Sequence, residues 1–221
     1  MFRIIFVLVG YALGMIQTSY IMGRLSGIDI RDHGSKSAGF TNTNRVLGIK
    51  KGAVVFVIDV LKAMAAFWLV TLMYNAWFAE AGYTAGGTFF PSGYLVPGLY
   101  GGIGAVLGHV FPFFLKFKGG KGVACLLGII VMLDWRVMAI AFALGLAAVI
   151  ITRFISVASL IISLTTGVLI AVFAYSLEAI VLVWVLAVLV WVLHRANIKR
   201  LLAREENRFS FRRSGQKPSG G

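Results

Sequence analysis

The sequence is short of the residues that most often carry covalent, redox or metal chemistry. Cys125 is the one cysteine in 221 residues. That excludes an intrachain disulfide and a thiolate metal cluster, and the apolar run around it makes the thiol a packing group rather than a nucleophile. Acids are also scarce, eight Asp and Glu against 21 Lys and Arg. A metal-dependent phosphotransferase needs several carboxylates at helical spacing, and the second apolar stretch supplies only Asp59. No metal and no cofactor are therefore expected. The three histidines lack the Asp four residues later that would complete a His/Asp acyltransfer pair: His33 is followed there by Ser37, His109 by Phe113 and His194 by Ile198. No internal repeat is visible, which weighs against a transporter built from repeated halves.

What the chain has in excess is apolar residues, 59% against 13% charged, the balance of a polytopic membrane protein. Its net charge of +13 would suit nucleic acid in a soluble domain. Here the cations fall at the ends of apolar stretches, so anionic headgroups and anionic substrates are the expected partners and nucleic acid is not. Apolar stretches occupy residues 4–23, 52–74, 93–113, 122–133, 137–152, 154–176 and 179–193. The first is long for a cleaved signal peptide, and no small-x-small cleavage site follows it. The fourth would be roughly 18 Å long as a helix, short for a ~30 Å hydrocarbon core. Counting it as a crossing puts residues 24–51, residues 115–122, Arg153 and the tail from Arg195 on one side, with eighteen of the 21 Lys and Arg. The positive-inside rule makes that side cytoplasmic.

The expected fold is therefore an all-α integral membrane protein with seven transmembrane helices, one or two of them short. Its N-terminus lies outside and its C-terminus is cytoplasmic. Residues 1–202 form one membrane domain, and residues 203–221 a basic, partly disordered cytoplasmic tail. Gly98, Gly102, Gly104 and Gly108 at helical spacing predict a tightly packed third span. Residues 75–92 read as a loop that meets the interface through Trp77, Phe78, Phe89 and Phe90.

The longest polar interruption, residues 24–52, reads RLSGIDIRDHGSKSAGFTNTNRVLGIKKG. Six cations lie in it against Asp29 and Asp32, with four glycines before its end, the composition of an anion cradle and equally of a solvated loop. A second basic, glycine-rich loop, LKFKGGKG, covers residues 115–122. Topology gathers both loops with the Arg153 turn and residues 194–199. The set offers cations, hydroxyls and amides without a carboxylate pair, which points to phosphate binding. Asp59 and Lys62 share a face of the second span. Two readings fit them: a mutually neutralising pair that anchors the helix, or a pair that orients the cytoplasmic loops. His109 reads as structural, and His194, at a helix end, as a substrate contact or a cap.

Five stretches then carry a specific resemblance: GIDIRDHGSKSAGFTNTNRVLG, KKGAVVFVIDVLKAM, GHVFPFFLKFKGGKGVA, RFISVAS and HRANIKRLL, in this order from about residue 19 to residue 202. They resemble the signatures of the bacterial acyl-phosphate glycerol-3-phosphate acyltransferases, the PlsY family. The resemblance implies transfer of a fatty acyl group from acyl phosphate to the 1-hydroxyl of glycerol 3-phosphate, giving lysophosphatidic acid and phosphate, the first step of phospholipid synthesis. Transport of small organic phosphates is the alternative for a cationic pocket in a bundle. The resemblance further implies a multi-pass protein of the bacterial inner membrane, with its active site on the cytoplasmic side, and contact with the enzyme that makes acyl phosphate.

By motif, the catalytic set would be Ser35, Arg45, Lys121, His194 and Asn197. Thr41, Asn42 and Ser156 would join in binding phosphate, Gly119, Gly120 and Gly122 would shape the loop and supply amide donors, and Asp59, Lys62 and His109 would support the site from behind. Departures from the family pattern are Ser37 where Asn is usual, Phe40 where a small residue is usual, Ala63, Cys125, and Ala203 with Arg204 where glycine is expected. The proline usual near the end of the first span is missing.

Overall fold

The structure, a computed structural model, describes residues 1–78, 95–173 and 175–209. Phe89 and Phe90, named above, lie outside the described residues, as does the end of the tail from residue 210. Among the described residues the regular elements are all helical: α1 Phe2–Gly14, α2 Thr18–Arg24, α3 Phe40–Leu47, α4 Ile49–Phe78, α5 Leu95–Val110, α6 Val123–Leu133, α7 Trp135–Thr152, α8 Ile155–Val172, α9 Leu177–Leu193 and α10 Arg195–Leu202, with 3-10 turns at Ile30–Asp32 and Phe113–Leu115.

Five stretches are long and apolar enough to cross a membrane, Phe2–Arg24, Ile49–Trp77, Leu95–Leu115, Trp135–Thr152 and Ile155–Val172. The pair α9 and α10, bent by 53°, makes a sixth if counted as one span, and α6 is a shorter apolar helix. Large apolar side chains such as Leu8, Leu61, Trp68, Ile150 and Val188 face outward, as a lipid-facing surface requires.

The third span sits at the centre, and its glycines explain why. A Cβ on Gly104 would run into the carbonyl of Val7 and one on Gly108 into that of Tyr11, while Gly10 and Gly14 of α1 face Gly101 and Ala105 in the same way. Backbones in contact replace interdigitated side chains, the small-residue packing that holds helices together in lipid. Around α5, the buried Phe67 of α4, Leu126, Ile129 and Ile130 of α6 and Leu186 of α9 complete the core.

The first span differs from the expected unbroken helix. It breaks at residues 15–17 between α1 and α2. The carbonyl that the break frees at Ile16 accepts a hydrogen bond from Lys62 Nζ at 2.7 Å. Gln17 turns inward and donates to the carbonyls of His109 and Gly108 at 2.9 and 3.3 Å. A helix can break at membrane depth only where such partners re-satisfy its backbone, and the buried ammonium is that partner.

Contacts sort the helix ends into two groups. At one end, Arg3 pairs with Glu178 at 2.9 Å, Tyr100 donates to Glu178 at 2.6 Å, and Tyr175 donates to Asp134 at 2.9 Å. At the other, Arg31 Nη1 donates to the Leu115 carbonyl at 3.2 Å, Ala38 N to the Gly119 carbonyl at 3.3 Å, and Phe209 N to the Arg153 carbonyl at 2.6 Å. Short α6 leads from the second group at Gly122 to the first at Asp134. The four polar elements therefore share one end, as the topology required.

Candidate active site

The first loop is held in shape from within. Asn42, buried near the start of α3, accepts from Ser35 N at 2.8 Å and donates to the carbonyls of Ile30 and His33, each at 3.0 Å. Its amide is thus committed to the loop, and its effect is to present Ser35. Arg31 hydrogen-bonds Asp29 through Nε and Nη2, at 3.0 and 2.7 Å, and holds that carboxyl down at about 2. Helix α3, which sequence periodicity did not signal, carries Thr41 and Arg45 to the cavity described below. It is moored by the Thr43 to Ser19 hydroxyl contact of 2.7 Å.

The glycine-rich loop lies against the end of α5. Gly119 N and Gly120 N donate to the carbonyls of Val110 and His109 at 3.0 and 3.1 Å. These two amides are therefore spent inside the protein, and neither glycine lines the cavity described below, which corrects the expectation that they offer donors to phosphate. What demands glycine is proximity, since a Cβ on Gly120 would overlap the His109 ring. Gly122 does line the cavity, at φ +79° where a side chain is disfavoured.

Behind this loop the Lys62 ammonium donates to Asp59 Oδ1 at 2.8 Å and to Ile16 O at 2.7 Å, and it lies 3.0 Å from His109 Nδ1. The pair thus does both things the sequence left open. It neutralises two buried charges, and through His109 it supports the loop that carries Lys121.

These elements enclose a cavity of about 720 Å³. Ser35, Thr41, Asn42, Arg45, Lys121, Ser156, His194 and Asn197 all line it, so eight residues from four separate motifs converge. Asp59 and His109 reach it from below, whereas Lys62 does not. Lys121 donates to Asn197 Oδ1, tying the glycine-rich loop to α10. Burial and the nearby Arg200 push the Lys121 ammonium down to about 8, partly offset by Glu206. At the bend between α9 and α10, His194 Nδ1 donates to the Val190 carbonyl at 2.8 Å. In the neutral ring, that leaves Nε2 as an acceptor.

Much of the remaining lining is apolar. Phe56 of α4, Leu127 of α6, Phe142, Leu146 and Val149 of α7 and Ile162 of α8 form a continuous wall. Phe142 and Leu146 are themselves partly on the outer surface, so this wall reaches the side of the bundle. The arrangement can take an anion at one end and a hydrocarbon chain at the other.

Among the lining residues not expected from the sequence to serve the site, Glu206 and Phe40 stand out. Residues 203–209, assigned there to the tail, return to the cavity. Glu206 accepts from Asn197 Nδ2 and Arg200 Nε, each at 2.8 Å, and from Ser156 Oγ at 3.4 Å. The signal available was the acidic pair Glu205 and Glu206 in an otherwise basic stretch. Phe40, marked as a departure, also lines the cavity, with its ring 5.5 Å from that of Phe56 and 6.4 Å from that of Phe209.

The family model for glycerol-3-phosphate acyltransferase matches residues 4–204. A glycerol-3-phosphate acyltransferase of Thermoanaerobacter sp. (strain X514) is 35% identical over 209 residues, 94% of this chain and 96% of the relative. The fold is similar to the crystal structure of PlsY (YgiH), an integral membrane glycerol 3-phosphate acyltransferase. Against its glycerol 3-phosphate form the TM-score is 0.80 at 30% identity, covering 94% of this chain and 96% of that one. Against its lysophosphatidic acid form the TM-score is 0.77 at the same 30% identity, covering 95% and 96%.

Proposed function

The chain belongs to the glycerol-3-phosphate acyltransferase family, and on that premise we propose that it moves a fatty acyl group from acyl phosphate to the 1-hydroxyl of glycerol 3-phosphate. The observation that carries this reading is the two-ended cavity, with Arg45, Lys121, Ser156 and Asn197 at one end and the wall of Phe142, Leu146 and Val149 at the other. An acyl phosphate has that same division, and a glycerol phosphate supplies a second anion for the cationic end.

The chemistry asks little of the protein beyond placement. The 1-hydroxyl oxygen attacks the acyl carbonyl, the new ester bond forms and the bond to phosphate breaks. The hydroxyl proton leaves with the departing phosphate, and the products are lysophosphatidic acid and inorganic phosphate. Orientation of the hydroxyl and neutralisation of charge supply the acceleration, with no acyl-enzyme. Ser35 and Arg45 serve the acceptor side. Lys121, Ser156 and Asn197 serve the phosphate of the donor, and His194 Nε2 is an acceptor for a substrate hydroxyl.

In the bilayer, seven passes, with α6 as the short one, bring the cavity to the cytoplasmic side and leave the N-terminus outside. The excess of Lys and Arg in the loops at that end supports this orientation. Transport of organic phosphates has less support, because Asp59, Lys62 and His109 satisfy one another instead of lining a route across the bundle.

The test is purified protein in detergent with acyl phosphate and glycerol 3-phosphate, without coenzyme A or divalent metal. Lysophosphatidic acid and phosphate should appear in equal amounts. A folded preparation that makes neither, or that accumulates acylated protein during turnover, overturns the reading.

A further inference from the structure

The cationic end of the cavity is not empty in this structure, because a protein carboxylate sits in it. Glu206 has a nearly buried side chain, 6% exposed, and is held by donors from α8 and α10: Ser156, Asn197 and Arg200. Two of these, Ser156 and Asn197, are among the groups that the proposed reaction assigns to a substrate phosphate. Glu206 and Asp59 are the carboxylates on the cavity wall among the described residues. Asp59 is bound by Lys62, which leaves Glu206 as the one facing the donors of the cationic end.

The segment that delivers it is a short strap. Arg204 stands at φ +59°, a left-handed conformation that glycine adopts without cost and arginine does not. The chain reverses there, with Glu205 N donating back to the Arg200 carbonyl at 2.8 Å. Beyond Glu206 the strap is fastened at Phe209, whose N donates to the Arg153 carbonyl and whose ring lies near Phe40.

A partly buried cluster of cations and amide donors without a counter-anion is costly, and a phosphate cannot share those donors with a carboxylate. We propose that Glu206 is an internal competitor for the phosphate site, which neutralises the site while it is empty and is displaced, with residues 204–209, when a phosphate-bearing ligand binds. The inference deepens the proposed function and takes the identity of its ligand from it.

Competition of this kind has a signature that a direct contact lacks. If the strap is closed most of the time, the apparent Kd of a ligand equals its intrinsic Kd divided by the open fraction. That fraction belongs to the protein, so every anion bound at the site is weakened by the same factor. Removing the carboxylate charge should therefore tighten all of them equally.

The experiment compares unaltered protein with Glu206→Gln, which keeps the size and one acceptor oxygen, by direct titration in detergent with inorganic phosphate and with glycerol 3-phosphate. Both should bind about tenfold tighter in the variant, by factors that agree within about twofold, and inorganic phosphate should become a stronger inhibitor of turnover. Unchanged or weaker binding of phosphate overturns the proposal, since a residue that merely positions Asn197 or braces the fold gives that result.

A second measurement needs no change at Glu206. Glu205 is exposed and does not line the cavity, and Cys125 is buried, so an environment-sensitive label on Glu205→Cys reports the strap alone. Phosphate should shift its signal, and a label blind to saturating phosphate overturns the proposal. Tighter phosphate binding in Glu206→Gln without any lysophosphatidic acid from the unaltered protein would sink the acyltransfer reading and keep this one. Normal turnover with unchanged phosphate binding does the reverse.

Discussion

The two ends of the bundle use the same residue types to opposite effect. At the end that holds the N-terminus, arginines meet carboxylates away from the described cavity. Arg3 lies 2.9 Å from Glu178, and Arg136 lies 2.7 Å from Asp134, which also caps α7 and accepts from Tyr175. At the cavity end, Arg45 and Lys121 line an open volume, and neither has a carboxylate within ion-pair distance among the described residues. Charges of the first kind finish helix ends. Charges of the second kind are left for something that arrives. On the proposed reaction, the difference separates structural cations from binding cations.

That contrast can be broken most sharply from underneath. Lys62→Met leaves Asp59 buried without its partner and the Ile16 carbonyl without its donor. The loss should be about 3–5 kcal/mol, measured as a fall in melting temperature in detergent together with loss of activity. A variant as stable as the parent would show that the broken first span does not depend on this ammonium.

Next in size is Lys121→Ala, which should lower kcat/KM by about 10²–10³ while leaving the melting temperature nearly unchanged. An equal loss of stability would move Lys121 from the binding class to the structural one. Its protonation gives a gentler version of the same test. Burial and Arg200 lower this ammonium to about 8, against a partial opposing effect of Glu206 and a further lowering by Arg45, so it is charged below that pH and neutral above it. The profile of kcat/KM should be level below about pH 8 and decline above it, and Lys121→Arg should carry the decline to higher pH. A decline that persists unchanged in the arginine variant would assign it to another group.

The smallest effect is expected at the opposite end. Arg136→Ala removes an arginine that is exposed and remote from the cavity, and kcat/KM should stay within about twofold. A large loss of activity there would dissolve the distinction between the two ends.

Much of this was legible in the sequence, for identifiable reasons. Apolar runs bounded by cations gave the spans, and parity placed the polar loops together. Ser35, Thr41, Arg45, Lys121, Ser156, His194 and Asn197 do meet at one cavity. The break at residues 15–17 was not legible, because no proline or glycine stands there and its cause is a lysine far along the chain. The amides of Gly119 and Gly120 were misassigned because composition cannot show that a donor is already occupied by α5. Glu206 was hidden by the basic stretch around it, whose net charge masks the one side chain that turns inward.

Helix α6 has eleven residues where α7 and α8 have 18 each. At about 1.5 Å per residue that is ~16 Å against ~27 Å, so α6, which follows Lys121, leaves a recess beside its longer neighbours. In a bilayer that recess changes which substrate must travel. In the proposed reaction the donor's fatty acyl chain already lies at that depth, and its reactive carbonyl would reach the site by sideways diffusion along the leaflet. The water-soluble partner has to descend, and the polar shaft of Ser35, Arg45 and Asn197 is what makes the descent possible. The short helix thus sets a meeting height for two reactants that belong to different phases.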